Sequence, residues 1–313
     1  MSLTQLAIVQ QPPVLLDRTR TLAKAVELVA EAAAGGANLI VFPEAFIPGY
    51  PAWIWRLRPG GDWGLNEALH ARLLANAVDL DAGELRPLCD AARAHNVTIV
   101  CGLNERDGRL SQATLYNSAV IIGPQGTILN RHRKLMPTNP ERMVWGFGDG
   151  SGLKVVDTPA GRIGTLLCWE NYMPLARYAL YAQGIEVYIA PTYDSGEGWI
   201  GSLQHIAREA GCWVVGSGVV LATADIPADF PERARLYPDG EEWVNPGDSV
   251  VIKPGGEIVA GPMRNEKGLL YAELDPAMVG SARRTLDVVG HYARPDIFTL
   301  RVNTRPQSPI EFD

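Results

Sequence analysis

Apolar residues in this chain gather into short unbroken runs, and the stretches between them carry apolar positions at helical spacing. Residues 5–10 (QLAIVQ) read as a first strand. Leu22, Val26, Leu28, Val29 and Ala33 then predict one face of a helix ending near Gly35 and Gly36. Residues 38–42 (NLIVF) predict a second strand, closed by Pro43, with Glu44 at its carboxyl end. Strand, helix and strand in this order make a βαβ unit. Residues 45–64, dense in aromatics, Pro and Gly, read as a long structured loop, followed by a helical region to about His95 and a strand over 98–103. A hairpin is expected to pair 116–122 with 128–132 across the turn at 123–126. Beyond a turn-rich stretch at 135–152, the pattern predicts strands at 154–157 and 163–167, a helix at 174–183 and a strand at 187–190. A helix at 199–210 and a very apolar strand at 213–221 follow. The Pro-rich, charged stretch 222–248 is expected to be a surface excursion, with strands near 249–253, 257–260 and 269–274 after it and then a short tail.

One pattern recurs. Residues 36–44 (GANLIVFPE) and 184–192 (GIEVYIAPT) share a Gly, a polar residue, an apolar run and a closing Pro, and each follows a strand and a helix. Read as a repeat, they predict two similar halves packed together, with Thr192 and Tyr193 at the place that Glu44 holds in the first. Many short strands mixed with helices point to a layered α/β or α+β sandwich.

Composition narrows the function classes. The 313 residues, 47% hydrophobic, suffice for a large core in one large or two ordinary domains. A net charge of −7, with RHRK at 131–134 as the densest basic cluster, argues against a nucleic-acid partner. No apolar run has the length of a membrane span, and no leader pattern opens the chain, so no membrane association is expected. Cys89, Cys101, Cys168 and Cys212 lie far apart without CxxC or zinc-like spacing, which leads to the expectation of a reduced, soluble, cytoplasmic protein without structural disulfides. Neither GxGxxG nor a Walker A loop follows the first strand, so a nucleotide site has no support.

The stretch 161–171, GRIGTLLCWEN, carries the clearest chemical signal. Its thiol, Cys168, stands between a buried strand and the start of a helix, where backbone N–H groups favour a thiolate and a neighbouring oxyanion. Position alone leaves a small core residue as the alternative. His70, His95, His132, His205 and His291 do not converge on it in the sequence. Glu44, ending a buried strand, and Lys134, ending an apolar hairpin, are the other charged candidates.

Taken together, PEAFIPGYP around Glu44, HRKLMPT around Lys134 and CWEN at Cys168 resemble the nitrilase superfamily of carbon–nitrogen hydrolases, in that family's order of Glu, Lys and Cys. The likeness extends to the tail motif GHYARPDIF at 290–298. It implies a four-layer α-β-β-α sandwich over a single domain at 1–280, with 281–313 a C-terminal tail at an oligomer interface. It also implies that Cys168 is the nucleophile, Glu44 the general base, Lys134 the electrophilic stabiliser, and Glu141 a second glutamate that positions substrate and lysine. The backbone N–H of Trp169 becomes an oxyanion donor, and Trp169, Tyr50, Thr138 and Tyr193 become substrate-binding residues. Aromatics at Tyr50, Trp53, Trp55, Trp145, Trp169 and Tyr193 are expected to wall a pocket for an aryl or arylacetonitrile. No metal or organic cofactor is required. The branch most similar is the true nitrilases, acting on a small-molecule nitrile; an amidase or carbamoyl hydrolase, a cyanide-hydrolysing member and a silent binding protein on the same fold are the alternatives. With 15 residues beyond Phe298, a homodimer or small homo-oligomer is expected rather than a filament.

Overall fold

The structure, a computed structural model, describes residues 3–240, 242–308 and 310. Its first half runs β1 (Thr4–Gln10), α1 (Arg18–Ala34), β2 (Leu39–Val41), α2 (Trp63–Asn76), α3 (Arg86–His95), β3 (Thr98–Arg106), β4 (Leu115–Ile122) and β5 (Ile128–Arg133). Then come β6 (Val156–Thr158), β7 (Gly161–Thr165), α4 (Pro174–Tyr181), β8 (Val187–Thr192), α5 (Glu197–Ala210), β9 (Trp213–Gly218) and β10 (Val220–Ala222). A short α6 (Arg233–Leu236) precedes β11 (Trp243–Ile252), β12 (Ile258–Arg264), β13 (Gly268–Leu274) and α7 (Ala277–Thr285).

The strands form two sheets, one ordered β13-β1-β2-β3-β4-β5 and the other β10-β11-β9-β8-β7-β6, with β12 paired to β11. In the first, β1, β2 and β3 are parallel, flanked by antiparallel β13 on one side and β4 on the other. In the second, β7, β8 and β9 are parallel, flanked by antiparallel β6 and β11. The repeat read from 36–44 and 184–192 therefore corresponds to a real likeness of topology, with β2 and β8 each the middle strand of a parallel trio.

Side-chain alternation builds the layers. Ala7, Val9, Ile40, Phe42, Ile99 and Cys101 pack outward under α1 and α3. Their neighbours Leu6, Ile8, Leu39, Val41 and Val100 face inward, against Ile163, Val187, Ile189, Trp213 and Val215 of the other sheet. On the far side, Tyr188, Ala190 and Val214 pack under α4 and α5 through Leu180, Trp199, Leu203 and Ile206. Helix, sheet, sheet and helix give the expected four layers, and strands buried on both faces explain the unbroken apolar runs. No helix among the described residues is long and apolar enough to cross a membrane.

One expectation needs correction. The stretch 222–248 is not simply a surface excursion: Ile226, Phe230, Leu236 and Tyr237 are buried in a fourth cluster with Trp53 and Leu69, and β11 begins at Trp243. Its prolines and charges obscure the apolar positions because they follow no single period. The loop at 45–64 also carries core residues, including Tyr50, Trp53 and Ile54. At the other end, residue 280 falls inside α7, where Val279 is buried between the layers and the Arg283 guanidinium donates to the Ala210 and Ile185 carbonyls. Past it, Tyr292, Ile297 and Phe298 are exposed.

Candidate active site

Three strand ends bring the charged candidates together. Glu44 lies just past β2 and is fully buried. Strand β3 passes so close that a Cβ on Gly102 would sit 2.3 Å from the Pro43 carbonyl and 2.8 Å from the Glu44 Cα, so glycine is required there. Lys134 directly follows β5, and its N–H donates to the Asn117 carbonyl of β4 at 2.8 Å. Cys168 comes three residues after β7 and opens a short 3-10 turn, Cys168–Tyr172. Its φ of 50° is left-handed, a conformation that a non-glycine residue holds only when its surroundings impose it. Asn171 does so: its amide donates to the carbonyls of Leu166 at 3.1 Å and Cys168 at 2.7 Å, and its own oxygen accepts from the Tyr188 hydroxyl at 2.6 Å.

The Lys134 ammonium bridges two buried carboxylates, donating to Glu44 Oε1 at 2.9 Å and Glu141 Oε2 at 2.8 Å. Glu44 also accepts from the Asn117 amide on Oε1 and the Tyr193 backbone N–H on Oε2, each at 2.7 Å. Glu141, in the 3-10 turn Asn139–Met143, accepts from the Thr138 backbone N–H at 2.7 Å and the Tyr50 hydroxyl at 2.6 Å. The Tyr50 hydroxyl in turn accepts from Trp55 Nε1 at 2.9 Å. Donor atoms of Glu44, Glu141 and Cys168 lie within 4.8 Å of one another. That set could hold a cation, and the ammonium of Lys134 already occupies the position between the carboxylates.

Burial and mutual charge tune these groups. Burial raises Glu44 above the usual carboxylate range; Lys134 opposes this and Glu141 adds to it. Burial works against the Lys134 charge, but Glu44, Cys168 and Glu141 together outweigh it and hold the ammonium above its usual range. The Cys168 thiol is pushed up to about 12, first by burial and then by Glu44, while Lys134 and a hydrogen bond from Thr192 pull it down. Burial thus favours the neutral form of the thiol and of the Glu44 carboxyl, while the paired carboxylates favour the charged form of the Lys134 ammonium.

A cavity of about 340 Å³ opens onto Cys168. Its lining includes Tyr50, Thr138, Trp169 and Tyr193, the four expected substrate-binding residues, together with Glu141 and Trp55. The Tyr50 and Tyr193 rings stack at 3.8 Å, and Trp169 donates through Nε1 to Asp194 at 2.8 Å. Trp53 and Trp145 do not wall it; both are buried, Trp53 against Phe230 and Trp145 donating to the Asn104 amide oxygen at 2.9 Å. None of the five histidines lines the cavity among the described residues; His132 is instead buried against Glu170.

Sequence reasoning missed several neighbours. Asn117 is a buried amide in the apolar strand LYNSAVII, a signal that was legible as a polar residue out of place. Val244, Asn245 and Pro246 line the cavity from within the supposed excursion, and Asn245 donates to the Tyr193 carbonyl at 2.6 Å.

Known proteins share this arrangement of chain. The Carbon-nitrogen hydrolase family matches residues 5–284. Nitrilase 2 of Arabidopsis thaliana is 42% identical over 323 residues, covering 99% of this chain and 92% of that protein. The bifunctional nitrilase/nitrile hydratase NIT4A of Lupinus angustifolius is 41% identical over 312 residues, covering 97% of this chain and 87% of that protein. Among solved structures, a carbon-nitrogen hydrolase from Helicobacter pylori G27 superposes with a TM-score of 0.70 at 21% identity, over 95% of this chain and 97% of that one. With the layered fold, the ordered strand-end residues and a family match that spans nearly its whole length, the chain belongs to the carbon–nitrogen hydrolase family.

Proposed function

We infer that this protein hydrolyses a nitrile to its carboxylic acid and ammonia with Cys168 as nucleophile. The observation that carries the reading is the buried set in which one ammonium joins Glu44 and Glu141 beside the Cys168 thiol, with Glu141 and Cys168 themselves lining an aromatic-walled cavity. The full-length similarity to named nitrilases supports nitrile as the substrate class.

Glu44 accepts the thiol proton as sulfur bonds to the nitrile carbon, and that proton passes to nitrogen to give a thioimidate. A water adds to the same carbon, deprotonated by Glu44, and ammonia leaves to give a thioester. A second water releases the acid and restores the thiol, so two waters are consumed for each ammonia. Lys134 and the Trp169 backbone N–H stabilise charge developing on the substrate heteroatom, and Glu141 fixes Lys134 in place. Tyr50, Thr138, Trp169 and Tyr193 hold the substituent, and the stacked tyrosines favour an aryl or arylacetonitrile. The tetrahedral intermediate can also expel the thiol rather than ammonia, which yields an amide; the two activities in the name of the lupin relative favour some partition of this kind. Tyr292, Ile297 and Phe298, exposed past α7, support assembly as a homodimer or small homo-oligomer.

The test compares ammonia release from an arylacetonitrile and from the matching amide. Release from the nitrile is expected; turnover of the amide alone would overturn the reading in favour of an amidase.

A further inference from the structure

One buried carboxylate outside the reacting set ties the two halves of the site together. Glu170 lies two residues after Cys168, has no exposed side-chain surface and lines no part of the cavity. Its Oε1 accepts the backbone N–H of Leu135 at 2.8 Å, and its Oε2 accepts that of Leu167 at 2.8 Å. Leu135 immediately follows Lys134, and Leu167 immediately precedes Cys168. These segments belong to different sheets, one leaving β5 and the other leaving β7. His132, the penultimate residue of β5, places Nε2 3.0 and 2.9 Å from the two Glu170 oxygens. A carboxylate only accepts, so the imidazole proton sits on Nε2. His132 Nδ1 is buried without a partner among the described residues, which leaves the Glu170 bond as the polar anchor of the ring.

We propose that Glu170 is a positioning residue that sets the separation between the Lys134 ammonium and the Cys168 thiol, with His132 holding Glu170 in register. The proposal rests on the reading above that these two groups act on the same substrate atoms. A small displacement of one against the other is costly because the reacting geometry tolerates little error. Neither Glu170 nor His132 touches the cavity, so the effect falls on turnover rather than on substrate binding.

In Glu170→Gln one acceptor becomes an NH₂ group facing a backbone N–H, and one of the two ties is lost. The variant should fold, keep KM within about twofold and lose kcat by about 30- to 100-fold. His132→Gln, which can still donate an N–H to Glu170, should stay within about threefold of wild type, whereas His132→Leu should fall by about tenfold. A substrate-free measurement runs alongside: the pH profile of Cys168 alkylation by iodoacetamide should move to higher pH in Glu170→Gln, because the thiolate loses Lys134. Removal of the Glu170 charge acting alone would move it the other way. A folded Glu170→Gln with kcat within twofold of wild type, a loss expressed through KM, or an alkylation profile unchanged or moved down overturns the proposal. Should Glu170→Gln and the charge-keeping, shorter Glu170→Asp both fail to fold, the carboxylate serves folding rather than positioning, and the proposal is again overturned. The kcat ratios are read on whichever of nitrile and amide the wild type hydrolyses, so activity on the amide alone ends the nitrile reading without obscuring the result for Glu170.

Discussion

Strands β2 and β8 hold the same place in their respective sheets, yet their carboxyl ends do different things. The end of β2 delivers Glu44, an ionisable group whose burial raises it above the usual carboxylate range. At the end of β8, Thr192 supplies a hydroxyl to Cys168, and the Tyr193 backbone N–H donates to Glu44 Oε2 at 2.7 Å. Both ends converge on the site around the thiol, one with an ionisable carboxylate and the other with fixed hydrogen-bond donors. Repetition of the architecture therefore creates the place, and the departure from repetition creates the chemistry. A second carboxylate at Thr192 would add charge to a buried region where Lys134 is already shared between two.

That contrast can be broken in graded steps. Cys168→Ala removes the atom both strand ends serve, and turnover should fall by about 10⁴-fold or more, measured as ammonia release. Glu44→Gln keeps the size of the side chain at the β2 end but turns one acceptor into an NH₂ group facing a donor and takes away the carboxylate; kcat should fall by about 10²- to 10⁴-fold, more than the loss of one hydrogen bond accounts for. Lys134→Met leaves Glu44 and Glu141 buried without their cation, which should cost about 3–5 kcal/mol in a urea melt as well as activity. At the β8 end, Thr192→Val deletes only a hydrogen bond that favours the thiolate, so the loss in kcat/KM should be no more than about tenfold. A Glu44→Gln effect no larger than that of Thr192→Val would erase the distinction between the two ends.

The smallest expected effect is a displacement along the pH axis. Glu44 must be ionised to act as base, so kcat/KM falls on the acid side, and burial places that limb above the ordinary carboxylate range. The Asn117 amide favours the Glu44 anion, and Asn117→Leu withdraws it. Glu44 then rises further and the acid limb moves to higher pH, which a pH–rate profile reads directly. A limb that stays in place, or moves down, would dissociate Glu44 from the base step.

Much of this was legible in the residues before any fold was known, and the exceptions have physical causes. The runs at 5–10, 38–42, 98–103 and 187–190 are strands because continuous apolar sequence of that length suits a sheet covered on both faces. The stretch 222–248 misled because Ile226, Phe230, Leu236 and Tyr237 reach the core from irregular backbone, where no period marks them. Trp53 and Trp145 misled in the opposite direction, since an aromatic beside a motif packs into a core as readily as it walls a pocket.

By itself, the sequence determined the layered architecture, the repeat of its halves and the strand-end stations of Glu44, Lys134 and Cys168, because periodicity and chain breakers are local properties. Only the tertiary structure decided which donors complete each station. Asn117 reaches Glu44 across 73 residues, Tyr193 reaches it across 149, and Asn245 closes the cavity behind Tyr193. Glu170, three residues from Leu167 in the chain, also holds Leu135, just past β5 of the other sheet. Hydrogen bonds of that kind form where separately made strands and turns are packed together, and their geometry is set by the packing of two sheets rather than by any stretch of residues.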